Sequence, residues 1–303
     1  MAKIPLEKTI GATYSFAFSN ILSVFGVLWL PSLILVGLVG AIFFFVIPDF
    51  HFGAPPLGDD GDRVRHLIEG VAIYIRFAGL IMLVSLLMRA MVTVGVMEKA
   101  LDRRDGPVLV YFSLRAPVWR LIGALILASI IITIVAVLTV CAVMAAIWTA
   151  VNYAPGIAGL AKVVSILGGV LFVIYVSFRL TFFLPAVVVA EETIGIGRAW
   201  QLSSGNFWRI VGLLLAVLLP VGIVARILGF ALFGFGWLHA IGDAVNAHHM
   251  LSARDVLDIV ARQVGPVWPA VLVYVLVYVT LVTGLAIGAI GTAYKAVTAE
   301  SAV

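Results

Sequence analysis

The sequence predicts an all-α integral membrane protein with about six transmembrane helices, arranged as three parallel repeats of an interfacial helix plus a transmembrane hairpin. Three observations carry this expectation. Of the 303 residues, 63% are hydrophobic and 11% are charged, against about 25% charged in a soluble domain. Six apolar runs are each long enough to cross a bilayer, and a short pattern recurs ahead of the first, third and fifth of them.

The runs cover 21–47, 71–97, 119–148, 158–184, 208–235 and 268–293. A spanning helix needs about 20 mainly apolar residues, because each rises about 1.5 Å through a hydrocarbon core about 30 Å thick. Barrel-type alternation is absent, so helices are the way to satisfy the backbone in lipid. Tyr153-Ala154-Pro155-Gly156 is a turn signal that makes the third and fourth runs antiparallel neighbours. The polar loops are too short for a soluble domain, so 1–303 reads as a single membrane domain. The opening stretch holds Lys3, Glu7 and Lys8 followed by mixed polar and aromatic residues, so no cleavable signal is expected.

Charge asymmetry sets the expected orientation. The side with both termini, 98–118 and 186–207 collects Lys3, Lys8, Lys99, Arg103, Arg104, Arg115, Arg120, Arg198, Arg209 and Lys295. The other side collects Arg63, Arg65, Arg76, Lys162, Arg226, Arg254 and Arg262. The termini are therefore expected in the cytoplasm. Loop 48–70, with Asp59-Asp60-Gly61-Asp62, reads as a solvated turn, since its acids lack calcium-loop spacing. Residues 252–264 read as an amphipathic surface helix capped by Ser252.

The net charge of +4 without a polybasic tract points to anionic lipid headgroups, not nucleic acid. The single Cys141 excludes an intrachain disulfide and a cysteine-based zinc site. No cofactor motif is found; neither GxSxG nor a Walker loop occurs.

The recurring pattern aligns Tyr14–Gly26, Tyr111–Gly123 and Trp200–Gly212 without a gap. Aromatics open each copy. Asn20, Pro117 and Asn206 coincide, then Leu22, Trp119 and Trp208, then Ser23, Arg120 and Arg209. Trp, Tyr and snorkelling Arg suit the headgroup level. Short interfacial helices are therefore expected over 8–19, 108–117 and 195–205, within repeats of about 8–105, 106–193 and 194–303. Convergent interface composition is the alternative explanation.

The stretch Arg179-Leu-Thr-Phe-Phe-Leu-Pro185, Glu191-Glu192 and Ala199-Trp-Gln-Leu-Ser-Ser-Gly-Asn-Phe-Trp-Arg209 resembles the membrane domain attached to some bacterial glycerophosphodiester phosphodiesterases, and its stand-alone relatives. The resemblance is clearest over 175–215. It implies a six-helix membrane fold in a bacterial inner membrane and transfers no catalytic residue, since the catalytic barrel has no room in this chain.

Arg89 and Arg179 lie deep in apolar runs, ahead of Glu98 and Glu191. Ionisable groups inside a membrane are functional candidates. These four residues are the candidate ligand-binding set, with both arginines expected in a shared polar cavity open to the cytoplasmic leaflet. Structural anchoring is the competing role. His239, Asp243, His248 and His249 could hold a metal, or simply lie at the interface; no metal site is assigned. Pro31 and Pro220 are expected to kink their spans.

Three functions compete. The leading one is a non-enzymatic inner-membrane protein that binds or moves lipids or other anionic amphiphiles in envelope maintenance. The second is a scaffold for a membrane-protein partner or a homo-oligomer. The third is a metal-dependent membrane enzyme.

Overall fold

The computed structural model describes residues 3–45, 51–52, 60–104, 106, 110–233, 251–252, 262 and 265–299. Among these, nine α-helices follow in order. They are α1 Leu6–Ser19, α2 Ile21–Phe45, α3 Asp60–Ala100, α4 Ala116–Tyr153, α5 Ala158–Thr181, α6 Leu184–Glu191, α7 Ile196–Ser203, α8 Phe207–Phe233 and α9 Trp268–Ala299. Six spans are long and apolar enough to cross a membrane, carried by α2, α3, α4, α5 continuing into α6, α8 and α9. The chain is an all-α, multi-pass membrane protein.

The helices pair as three hairpins, α2 with α3, α4 with α5, and α8 with α9. The predicted turn at 153–156 is present: α4 ends at Tyr153, and a short 3-10 turn at Pro155–Ile157 leads into α5. Direct contacts gather the N-terminus, 98–120, 189–209 and the end of α9 at one end of the molecule. Arg209 donates to the Ile4 carbonyl at 2.8 Å. Arg103 donates to the carbonyls of Val189 and Ala190 at 2.7 and 2.6 Å. Lys295 pairs with Asp102. This end, called the terminal end below, holds most of the core. The far parts of the hairpins are sparsely packed, and between 129 and 175 no residue is buried.

Small residues let the helices at the terminal end approach closely. Helix α1 buries Thr9, Thr13 and Ala17, one face at i, i+4 and i+8. That face lies on α9, where the Thr13 and Thr292 hydroxyls are 2.9 Å apart. A Cβ added at Gly288 would come within 2.7 Å of the Phe16 ring. Association in lipid depends on such packing, because burying apolar surface there brings no water release.

The prolines act as their chemistry requires. Pro220 inside α8 removes the amide that would have bonded the Ala216 carbonyl. The Tyr14 hydroxyl from α1 supplies a donor there, at 3.2 Å to Ala216 and 3.1 Å to Val217. The fourth span is broken at Phe182–Phe183, because Pro185 cannot donate to the Thr181 carbonyl. The helix restarts with Pro185 in its first turn, where no amide is needed. Helix α6 is buried from Leu184 through Val189.

Three expectations are corrected. The segment 110–115 is not helical; α4 begins at Ala116 with Pro117 in its first turn. Its side chains alternate, Val110, Phe112 and Leu114 outward and Tyr111 inward, which is strand periodicity. The other two expected stretches, 8–19 and 195–205, are helical, as α1 and α7. Helix α3 starts at Asp60, so the loop expected over 48–70 gives way to helix from residue 60. Ser252 pairs with His51 in a two-residue antiparallel ladder, and Leu251 pairs with Phe52; the surface helix expected after Ser252 lies largely outside the described residues. The third correction concerns the shared cavity and is given below.

Candidate ligand-binding cavity

A cavity of about 820 Å³ lies between α2, α3, α4, the α5–α6 break and α9. Its wall is mostly apolar, interrupted by Ser32, Ser85, Thr93, Thr181, Thr283 and one cation, Arg89. Ser85, Arg89 and Thr93 recur at i, i+4 and i+8, so α3 presents one polar stripe to it. No acidic residue lines the cavity. The Arg89 side chain is exposed, and no hydrogen bond or ion pair reaches its guanidinium among the described residues. Arg89 stands eleven residues before the end of α3 at Ala100, about 16 Å of helix rise. That is near the middle of a hydrocarbon core about 30 Å thick. A lone cation there costs at least about 2.5–3.5 kcal/mol if left against lipid.

Arg179 has a different fate. One terminal nitrogen donates to the Tyr175 hydroxyl at 2.9 Å, and the other donates to the Trp200 carbonyl at 3.2 Å. Its guanidinium carbon lies 3.8 Å from the Trp200 ring centroid. The Arg179 carbonyl accepts from the Ser203 hydroxyl at 3.0 Å. Arg179 is therefore an anchor that fastens α7 to α5, and it does not line the cavity. The expected pairing of the two arginines in one site is overturned, because aromatic and carbonyl partners from α5 and α7 take up this cation first.

The two predicted acids lie in an ionic layer at the terminal end. Glu98 sits 3.6 Å from both Arg104 and Arg115. Glu191 accepts from Arg198 at 3.2 Å and from the Tyr294 hydroxyl at 3.0 Å. Arg120 reaches Glu192 at 3.2 Å. These pairs hold 98–120, α6, α7 and α9 together, and neither acid lines the cavity. Burial, reinforced by the charge of Glu98, raises the Tyr111 pKa above its usual 10, so its phenol stays neutral through physiological pH.

The aligned repeat positions separate into two classes. Leu22, Trp119 and Trp208 point outward, with exposures of 76%, 56% and 80%. The opening aromatics turn inward: Tyr14 reaches α8, Tyr111 is buried, and Trp200 stacks on Arg179. Asn206 is buried, and its side-chain oxygen accepts from the Ile4 amide at 3.1 Å. Arg209 holds the carbonyl of the same residue, so the turn between α7 and α8 clamps the N-terminal segment. Sequence reasoning missed the roles of Arg103, Asn206 and the Ser85–Thr93 stripe. The stripe had a signal, three polar residues at one helical face in an apolar run; Arg103 and Asn206 act through partners 86 and 202 residues away.

His239, Asp243, His248 and His249 lie outside the described residues, as does most of 252–264. Among the described residues no group of three metal-ligating side chains forms. No family model matches the chain, and neither the curated proteins nor the solved structures contain a match.

Proposed function

We propose that this is a non-enzymatic protein of the bacterial inner membrane that binds an anionic amphiphile, with the anionic group held by Arg89. The observation that carries this reading is the guanidinium with no partner among the described residues, in a mostly apolar, acid-free cavity with a few hydroxyls at mid-span. A phosphate or carboxylate there gains a charge-assisted, forked hydrogen bond and relieves the cation of its isolation. Apolar walls suit the acyl or alkyl part of the same molecule. A role in envelope maintenance follows from handling such lipids. The resemblance over 175–215 supports the membrane location and nothing about chemistry. The three-unit organisation belongs to the proposal too. The outward Leu22, Trp119 and Trp208 support it, and the second unit joins its hairpin through an extended segment.

Native mass spectrometry of the gently purified protein tests the ligand. Anionic phospholipid adducts should exceed their share of the source membrane; adducts that mirror bulk composition refute the reading. Cytoplasmic termini are tested in intact cells with an impermeant thiol reagent on Cys141→Ser protein. Cysteines at Asp60→Cys and Ser252→Cys should be labelled without lysis, and labelling only after lysis reverses the orientation.

A further inference from the structure

We infer that the cavity takes its ligand sideways from the leaflet opposite the chain termini, and that it is closed toward the terminal end. This rests on the reading of the cavity as an anionic-amphiphile site, and it reverses the sequence expectation of an opening to the terminal leaflet.

The floor is built from packed side chains. Continuing from the cavity toward the terminal end, α2 buries Val24 and Val27, α3 buries Val96 and Met97, α6 buries Val187 and α9 buries Ala293. Beyond them stands the ionic layer, with Arg103 on the α6 carbonyls and Lys295 on Asp102. In the other direction the described positions of α2, α3 and α9 are mostly exposed or half-buried, with Ile42 and Thr280 buried. Met82 and Leu83 on α3 are 73% and 69% exposed, and Val36 on α2 is 68% exposed. On the α4–α5 side the wall ends at Leu125 and Thr181, and the hairpin beyond carries no buried residue from 129 to 175. The opening is thus flanked by apolar helix surface. Acyl chains can occupy that surface while the anionic head rests on Arg89. A soluble anion would have to cross the same apolar approach without a tail to offset the loss of hydration. A membrane lipid is therefore the source that fits.

The test uses Cys141→Ser protein in phosphatidylcholine vesicles, separated by the orientation of a terminal tag. Ser85→Cys lies one turn beyond Arg89 toward the opening, and Val96→Cys lies in the floor. A methanethiosulfonate carried on a phospholipid headgroup and placed in the outer leaflet alone should modify Ser85→Cys from the far face and not from the terminal face, and Val96→Cys from neither. Adding phosphatidylglycerol should slow the far-face reaction several-fold, while inorganic phosphate should leave it unchanged. Modification of either cysteine from the terminal face, or of Ser85→Cys from neither face, overturns the inference. Equal slowing by inorganic phosphate overturns the lipid source. Far-face labelling that phosphatidylglycerol does not slow refutes the anionic-ligand reading while leaving the sidedness of the opening intact.

Discussion

Arg89→Leu is expected to reduce retention of anionic phospholipid by about ten- to hundred-fold while the protein still inserts and folds. A hydrogen bond to a charged group contributes about 1.5–3 kcal/mol, and each 1.4 kcal/mol is about a factor of ten in affinity. Folding should survive because no described residue depends on this guanidinium for a bond. Arg89→Lys should fall between the two, since an ammonium keeps the charge and loses the fork. Arg179→Leu is the control and should behave in the opposite way. It leaves the cavity lining intact but removes the donors on Tyr175 and Trp200 and the stacked cation. Lipid retention should hold while thermal stability in detergent falls. Equal lipid loss in both leucine variants would show that the effect is global damage.

Gly288→Leu is expected to damage the fold. The Cβ alone would stand 2.7 Å from the Phe16 ring, and the rest of the side chain would enter the α1–α9 contact. Overpacking of this kind costs about 1–3 kcal/mol. The loss should appear as a thermal midpoint lowered by several degrees. It should also uncouple α1, seen as faster amide exchange over 6–19. Gly222→Leu is the matched comparison, because a Cβ there meets nothing within 4 Å. A similar midpoint for the two variants would mean that α1 does not pack on α9 through Gly288.

The spans were legible because lipid forces a simple code: an uninterrupted apolar run must become a helix, and α2, α5, α8 and α9 begin within one residue of the predicted starts. The ends were less legible where polar residues extend a helix out of the apolar layer, as Asp60 does for α3. Segment 110–115 carries the aromatic that opens the second aligned copy, Tyr111, yet it is extended. Composition suited to an interface does not fix periodicity, and here Tyr111 alternates with outward neighbours. Arg89 and Arg179 illustrate the harder limit. Each lies in the second helix of a hairpin, inside an apolar run and ahead of an acid, so the sequence treats them alike. What separates them is tertiary: Trp200 and Tyr175 surround one, and a cavity faces the other. The polar stripe Ser85–Arg89–Thr93 was the one local sign of that difference, because nothing comparable flanks Arg179 at both i−4 and i+4, where Tyr175 and Phe183 stand.

The most direct measurement is an experimental structure of the protein in nanodiscs containing phosphatidylglycerol, resolved well enough to place lipid phosphates. The account predicts a phosphate within about 3 Å of the Arg89 guanidinium nitrogens, with acyl density leaving the cavity past Leu125 and Thr181. A guanidinium paired with a protein carboxylate, or a collapsed cavity with lipid headgroups only at the two surfaces, would contradict it.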